Sequence, residues 1–359
     1  MSDFKSLSTA NLPDPAIDPA QGSSPEDYFN TVLYTGNGST QSLTGVGHQP
    51  DFLWFKNRNG TQVHQLFDVV RGVANSLRSN GTDAENTDSP NDRLLSFDSD
   101  GFSLGDDGNP NGSTNTYVAW SWKANGSGVS NTDGSITSTV SANTESGFSI
   151  GTFVGNQTAG ATVGHGLSQA PEMIIIKDRP TVNDWPVYHT SISPSQTIKL
   201  NSTNAAFTES TIWNNTAPTT SVFTLGSSNL ANNNTKSHVF YAFHSVEGFS
   251  KFGSYTGNGS ADGPFVYTGF RPAFVMVKVA SAAGERWQIH DTSREAYNGA
   301  IAAQFADGAL VDNTTSTYAF DILSNGFKPR TSHEGSNYSG QTIIYMAFAE
   351  NPFKYSNAR

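Results

Sequence analysis

The stretch Tyr-Thr-Gly-Asn-Gly-Ser-Thr at 34–40 returns as Tyr-Thr-Gly-Asn-Gly-Ser-Ala at 255–261. Glycine-rich loops cradle phosphate when they open a helix with the spacing GxGxxG or GxxxxGK[ST]. Neither loop has that spacing, and no helical pattern follows. Asn37-Gly38 and Asn258-Gly259 are pairs favoured in type I′ turns, so the expectation is strand, turn, strand. An eroded third version, Gly-Asn-Gln-Thr-Ala-Gly at 155–160, supports this. A turn tolerates Gln157, whereas a phosphate cradle would lose its ligand.

Other groupings could do chemistry. Asp68 and Arg71 match Asp291 and Arg294 in a D-x-x-R arrangement, with His189 near that place in between. Such a pair could bind a sugar or orient a base, or act as an ion pair that fixes a loop, worth little if exposed. Asp98 and Asp100 in Phe-Asp-Ser-Asp-Gly start like a calcium loop, but the twelfth position is Asn109 rather than Glu. A DG turn explains them, as an NG turn explains Asn325, and no metal is expected. The eight histidines form no tight ligand set, and there is no G-x-S-x-G elbow. No catalytic residue is assigned and no cofactor is expected. Trp185, Trp213, Trp287 and Tyr297 sit among polar residues, where loop aromatics could stack on sugar rings or pack in an interface. They are the candidate glycan- or partner-binding residues.

The elements that position these groups come in three copies. Each copy starts with an apolar strand and a Gly-Asn loop, marked by Gly36, Gly155 and Gly257. Each continues with a Pro-led apolar run after Pro50, Pro171 and Pro272, ending in Lys56, Lys177 and Lys278. Each closes with alternating aromatics: TYVAWSW, SHVFYAF and TIIYMAF. The Pro-led runs read as central strands buried on both faces, and YVAWSW as a half-buried strand. The segment 64–79 could hold a short helix. Strand and turn signals otherwise dominate. The expectation is an all-β chain of three tandem antiparallel β-sandwich, jelly-roll-like domains behind an extended N-terminal arm. The boundaries are 1–28 for the arm, 29–126 for repeat one, 127–146 for a linker or peripheral hairpin, 147–248 for repeat two and 249–359 for repeat three.

Composition narrows the partners. A net charge of −11 argues against nucleic acid, because a phosphate backbone would repel it. Only 14% of residues are charged, below the usual quarter, and Ser, Thr, Asn and Gly make up the surface. No run is long and apolar enough to span a membrane, and the N-terminus does not read as a signal peptide. The absence of cysteine excludes disulfides. The arm, with Pro13, Pro15, Pro19 and Pro25, cannot build a core alone and is expected to be either a flexible tail or an extended peptide ordered by docking on a partner.

The segments STANLPDPAID, YFNTVLYTGNGST, LTGVGHQPDFLWFKNR, FDSDGFSLG, TYVAWSWKA and YMAFAENPFKYSNAR resemble a repeat-containing virion structural protein of marine and cyanobacterial tailed bacteriophages, described as tail-fibre or lectin-like. The resemblance covers essentially the whole chain and supplies no catalytic residues. It implies a non-enzymatic virion appendage, assembled in the host cytoplasm and released by lysis. Other virion proteins of capsid or tail would be its partners, and host surface glycans its receptor. Phe4, Leu7, Leu12, Pro13, Pro15 and Ile17 would anchor the arm, and the chain would oligomerise as a trimer. The alternatives are a capsid decoration or head-fibre protein and, from another class, a glycan depolymerase.

Overall fold

The Pro-led runs become the strands Phe52–Asn57, Met173–Asp178 and Phe270–Val279, buried along nearly their whole length. β-branched and aromatic side chains on both faces suit a strand with apolar layers on either side. Each is flanked by the aromatic closing strand of its repeat, Thr116–Trp122, Ser237–Phe243 or Thr342–Pro352. Its other neighbour is a short strand, Gln65–Asp68, Pro186–His189 or Gln288–Asp291. The opening strands Phe29–Thr35, Phe148–Val154 and Ser250–Thr256 pair with the far side of the closing strands. The order opening, closing, Pro-led, short therefore recurs three times, with antiparallel pairing throughout. The structure is a computed structural model that describes residues 12–87, 92–300 and 302–356. With 41% strand and 8% helix, it is all-β.

A smaller sheet accompanies each larger one. Gln41–Thr44 pairs with Gly101–Leu104 and that with Leu94–Asp98; Ala161–Gly164 pairs with Val222–Leu225; Val266–Tyr267 pairs with Gly326–Pro329 and that with Phe320–Leu323. Alternation along a Pro-led strand divides its side chains between two cores. Leu53 and Phe55 face a core with Tyr34, Phe102 and Tyr117 inside repeat one. Phe52 and Trp54 face a core shared by all three repeats. There Phe52 stacks on Tyr241 at 4.4 Å, Phe29 stacks on Phe348 at 5.0 Å, and Phe243 meets Phe348 at 6.1 Å.

Three local expectations change, and for segment 127–146 the hairpin alternative holds. The closing strand Thr116–Trp122 is buried on both faces rather than half-buried, because Trp120 and Trp122 fill the shared core. Segment 64–79 is not helical: Gln65–Asp68 pairs with Phe52–Phe55, and Arg71 folds back onto the Leu66 carbonyl. Segment 127–146 is a hairpin, Val129–Asn131 with Ser138–Asn143, that extends the large sheet of repeat two. The Gly-Asn loop is not a hairpin turn, since the strands on its two sides lie in different sheets. Of the pair Asn37-Gly38 only Gly38 takes positive φ, 69°, and Gly259 and Gln157 repeat this at 66° and 57°. The loop closes on a buried asparagine. Asn111 accepts from Asn37 N, and its Nδ2 donates to the carbonyls of Ser39 and Gly105. Asn232 and Asn337 do the same in the other repeats. The loop N–H groups that a phosphate would need are taken: Gly36 N by the Asn115 carbonyl, Asn37 N by Asn111 Oδ1, Gly38 N by the Asn111 carbonyl and Ser39 N by Asn37 Oδ1.

The described part of the arm, residues 12–28, packs on its own chain. Ile17 is 1% exposed in the shared core, Ala16 N donates to the Glu247 carbonyl, and Tyr355 donates to Asp18 at 2.6 Å.

Candidate functional site

The side chains that could do chemistry gather where repeats meet. At the contact between repeats one and two, Arg71 donates to Asp68 at 2.6 Å and to Glu85 at 2.8 Å, and Tyr241 of repeat two donates to Asp68 at 2.8 Å. Glu85 also receives Arg179 of repeat two through both carboxylate oxygens, Nε at Oε1 and Nη2 at Oε2. Burial opposes charge on Arg71, but Asp68, Tyr241 and Glu85 outweigh it and hold the guanidinium above its usual value. Burial likewise opposes charge on Glu85, yet Arg179 and Arg71 keep its carboxyl below the usual range. The contact between repeats three and one is built alike. Arg294 binds Asp291 and Asp312, Trp120 of repeat one donates to Asp291 at 3.0 Å, and Arg58 of repeat one binds Asp312 at 2.7 Å.

The third contact, between repeats two and three, holds smaller groups. His189 stands where Asp68 and Asp291 stand, and its Nε2 lies 3.2 Å from the Tyr345 carbonyl. Ala206 and Ala280 replace the carboxylate and arginine, yet the backbone bond survives: Ala206 N to Ala280 O is 2.8 Å, against 2.7 Å for Glu85 to Arg179 and for Asp312 to Arg58. A second set of bonds also runs around the molecule. Trp185 Nε1 donates to the Arg78 carbonyl, Trp287 Nε1 to the Lys199 carbonyl, and His64 Nε2 to the Phe305 carbonyl. Repeat one thus meets two, two meets three, and three meets one: the contacts close a ring within a single chain.

This geometry decides the tryptophan candidates. Trp185 and Trp287 are ring-contact residues, and Trp213 packs against Tyr188 inside repeat two. All three are at most 1% exposed, so none can stack on a sugar. The polar residues before Trp185 line the same contact, since Asn183 N donates to the Thr82 carbonyl. Tyr297 is exposed, on a loop of repeat three. Of the proposed anchors, Ile17 is core, Pro15 sits over Gly248, Leu12 is half-buried and Pro13 is exposed. Phe4 and Leu7 lie outside the described residues.

Asp100 accepts from the N–H groups of Gly45 and Gly47, and Asp98 accepts from Ser103. The calcium-like motif thus ties loop to strand, and the described residues hold no group of three metal-ligating side chains. Lys56, Lys177 and Lys278 are fully buried, and each Nζ donates to the carbonyl of the next residue. Burial brings each of them down to about 8. Burial also lowers His48, His165, His189 and His238 to about 4, and His64 and His290 to about 3. His64 accepts from Trp54 at Nδ1, which fixes its tautomer. No described helix is long and apolar enough to cross a membrane.

The fold and these contacts define an all-β protein whose repeated sheet pairs close on one aromatic core. Residues 24–352 match a family described as a domain of unknown function, DUF7483, and the chain belongs to that family. No curated protein matches the chain.

Proposed function

We propose that this protein is a non-enzymatic structural component of a tailed-bacteriophage virion, an appendage of tail-fibre or adhesin type. One observation carries the reading. The two buried arginine–carboxylate clusters are spent inside the contacts between repeats, where they hold the ring rather than face a substrate. The surface left over is rich in Ser, Thr and Asn, as suits a particle component that meets polysaccharide. The sequence resemblance points the same way. In this reading the three sheet pairs are jelly-roll-like sandwich repeats of one rigid body.

Attachment to a capsid or tail protein falls to the segment before Leu12, with Phe4 and Leu7 as its apolar groups, because Ile17 is engaged in the core. Deletion of residues 1–11 should leave a folded protein that no longer joins particles. Incorporation of the truncated chain would sink the anchor, and absence of the full chain from purified particles would sink the virion role. An electron cryo-microscopy map of the particle separates a tail fibre from a head decoration. Release of oligosaccharide from host polysaccharide would favour the depolymerase alternative instead.

A further inference from the structure

A binding surface is best sought where equivalent positions differ. The first strand of each smaller sheet has a residue facing its core: Leu43, Val163 and Val266, each paired with a phenylalanine. The residues on either side of it face outward, by the period of two along a strand. In repeat one they are the exposed Ser42 and Thr44; in repeat two they are Thr162 and Gly164, which the hairpin of residues 129–143 covers through Asn131 and Ser135. In repeat three they are Phe265 and Tyr267, 48% and 60% exposed. Large aromatics at such exposure lose hydrophobic stabilisation unless something covers them. Two residues of strand set their origins about 7 Å apart. Gly326, paired with Tyr267, keeps the sheet face low, and the Phe265 ring lies over it.

Tyr267 also lies on the wall of a cleft of about 420 Å³, where Leu12, Pro13 and Pro15 of the arm and the junction of repeats two and three meet repeat three. That volume is in the range that holds small ligands. Ser245, Glu247, Lys251 and Thr268 offer hydroxyls and charges along the cleft. Beside the aromatic pair, Asp262 binds Lys328 at 2.8 Å and Arg330 at 2.7 Å, and Arg330 binds Asp321 at 3.3 Å. Two carboxylates against two cations leave no net field to draw a phosphate or an acidic sugar, while supplying donors and acceptors for hydroxyls.

We propose that Tyr267, with Phe265 beside it, is the stacking platform of a site for neutral hexopyranose units, which enter the adjoining cleft. The site rests on the adhesin reading and gives it a location in repeat three. The apolar C–H face of a pyranose matches an exposed ring, and its hydroxyls match the polar cleft wall.

The test is saturation-transfer NMR and titration of the full chain with maltose, cellobiose, lactose and N,N′-diacetylchitobiose. At least one should bind the wild type. Tyr267→Ala should weaken that binding tenfold or more and Phe265→Ala a few-fold, while Tyr297→Ala should leave it unchanged. Tyr267 and Phe265 lie outside the cores, so circular dichroism and urea midpoints should stay at wild-type values. Absence of transfer from all four sugars overturns the site, as does an unchanged Kd after Tyr267→Ala. A chain found on particles that binds none of the sugars would refute this site and leave the virion role standing. Sugar binding by a chain missing from particles would do the reverse.

Discussion

Arg71 is the place to test whether the buried contacts hold the ring. A guanidinium carries five N–H donors. Arg71 directs its donors to Asp68 at 2.6 Å, Glu85 at 2.8 Å, the carbonyls of Leu66 and Asn75 at 3.0 and 3.1 Å, and the Tyr241 hydroxyl at 3.2 Å. Its side chain and that of Asp68 are fully buried. Arg71→Ala leaves Asp68 charged in an apolar setting with Tyr241 and two backbone N–H groups, and leaves Glu85 with Arg179 alone. Removing one partner of a buried pair costs about 3–5 kcal/mol. Arg71→Lys keeps the charge but supplies three donors for five acceptor contacts; two net hydrogen bonds lost correspond to roughly 1–3 kcal/mol. Arg78→Ala removes a pair with Asp83 whose side chains are 33% and 58% exposed, and should cost under about 1 kcal/mol. Urea unfolding at pH 7, followed by tryptophan fluorescence, reads all three. A loss below about 1 kcal/mol for Arg71→Ala, or no gap between it and Arg78→Ala, would refute the reasoning.

Other outcomes follow from the same geometry. Lys278 has one hydrogen-bond partner for its Nζ, and lowering its value from 10.5 to about 8 amounts to roughly 3 kcal/mol against the charged form. The unfolded chain binds more protons between those two values, so wild-type stability should rise with pH across that window. Lys278→Met should match or exceed wild-type stability at pH 7, and its advantage should shrink toward pH 10 in parallel urea titrations. For His48 the folded value is about 4 and the unfolded value about 6.5, so its contribution is present above 6.5 and lost as pH falls toward 4. His48→Gln should flatten the stability profile in that window by on the order of 3 kcal/mol, and parallel profiles would count against it. Asn337→Ala should cost about 2–4 kcal/mol, since Nδ2 serves Asn258, Ser260 and Thr331 while Oδ1 accepts from Asn258 N. A thermal melt like that of wild type would argue against the lock.

What the sequence reveals depends on how local the physics is. The Pro-led strands are legible because continuous apolar runs say "buried on both faces" without reference to any partner. The equivalence of Lys56, Lys177 and Lys278 is legible because insertions fall elsewhere. Long-range pairing is not. Glu85 belongs to Arg179, 94 positions away, and nothing near either residue marks the other. Trp185 looks like a surface aromatic because Asn183 and Asp184 precede it, although Asn183 is itself part of a contact. The Gly-Asn loop is misread for a related reason. Its partner is Asn111, which lies 74 residues away from Asn37, so the two flanking strands look like a hairpin although they serve different sheets. Tyr267 draws notice only once the register sets it beside Thr44 and Gly164.

The closed ring bears on why one chain carries three copies. Identical subunits around a threefold axis must present identical surfaces, so any feature appears three times. Three repeats in one chain keep the shared core and the circular bonds, yet each repeat can change alone. The contacts show such change. Two keep an arginine between two carboxylates and a second arginine across the contact, whereas the third has Ile192, His189, Ala206 and Ala280 in the corresponding places and keeps the backbone bond. Ion pairs are thus dispensable for the geometry, although breaking one by half is costly. The outer faces diverge further, with hydroxyls on repeat one and exposed aromatics on repeat three. A single-chain ring therefore supplies the threefold closure that a trimer would otherwise provide, and leaves one face free to carry the site at Phe265 and Tyr267. Exchanging Tyr267 for Thr, the residue of repeat one, should abolish sugar binding without moving the urea midpoint. A shift in that midpoint larger than the loss of binding would mean that Tyr267 serves the fold rather than a ligand.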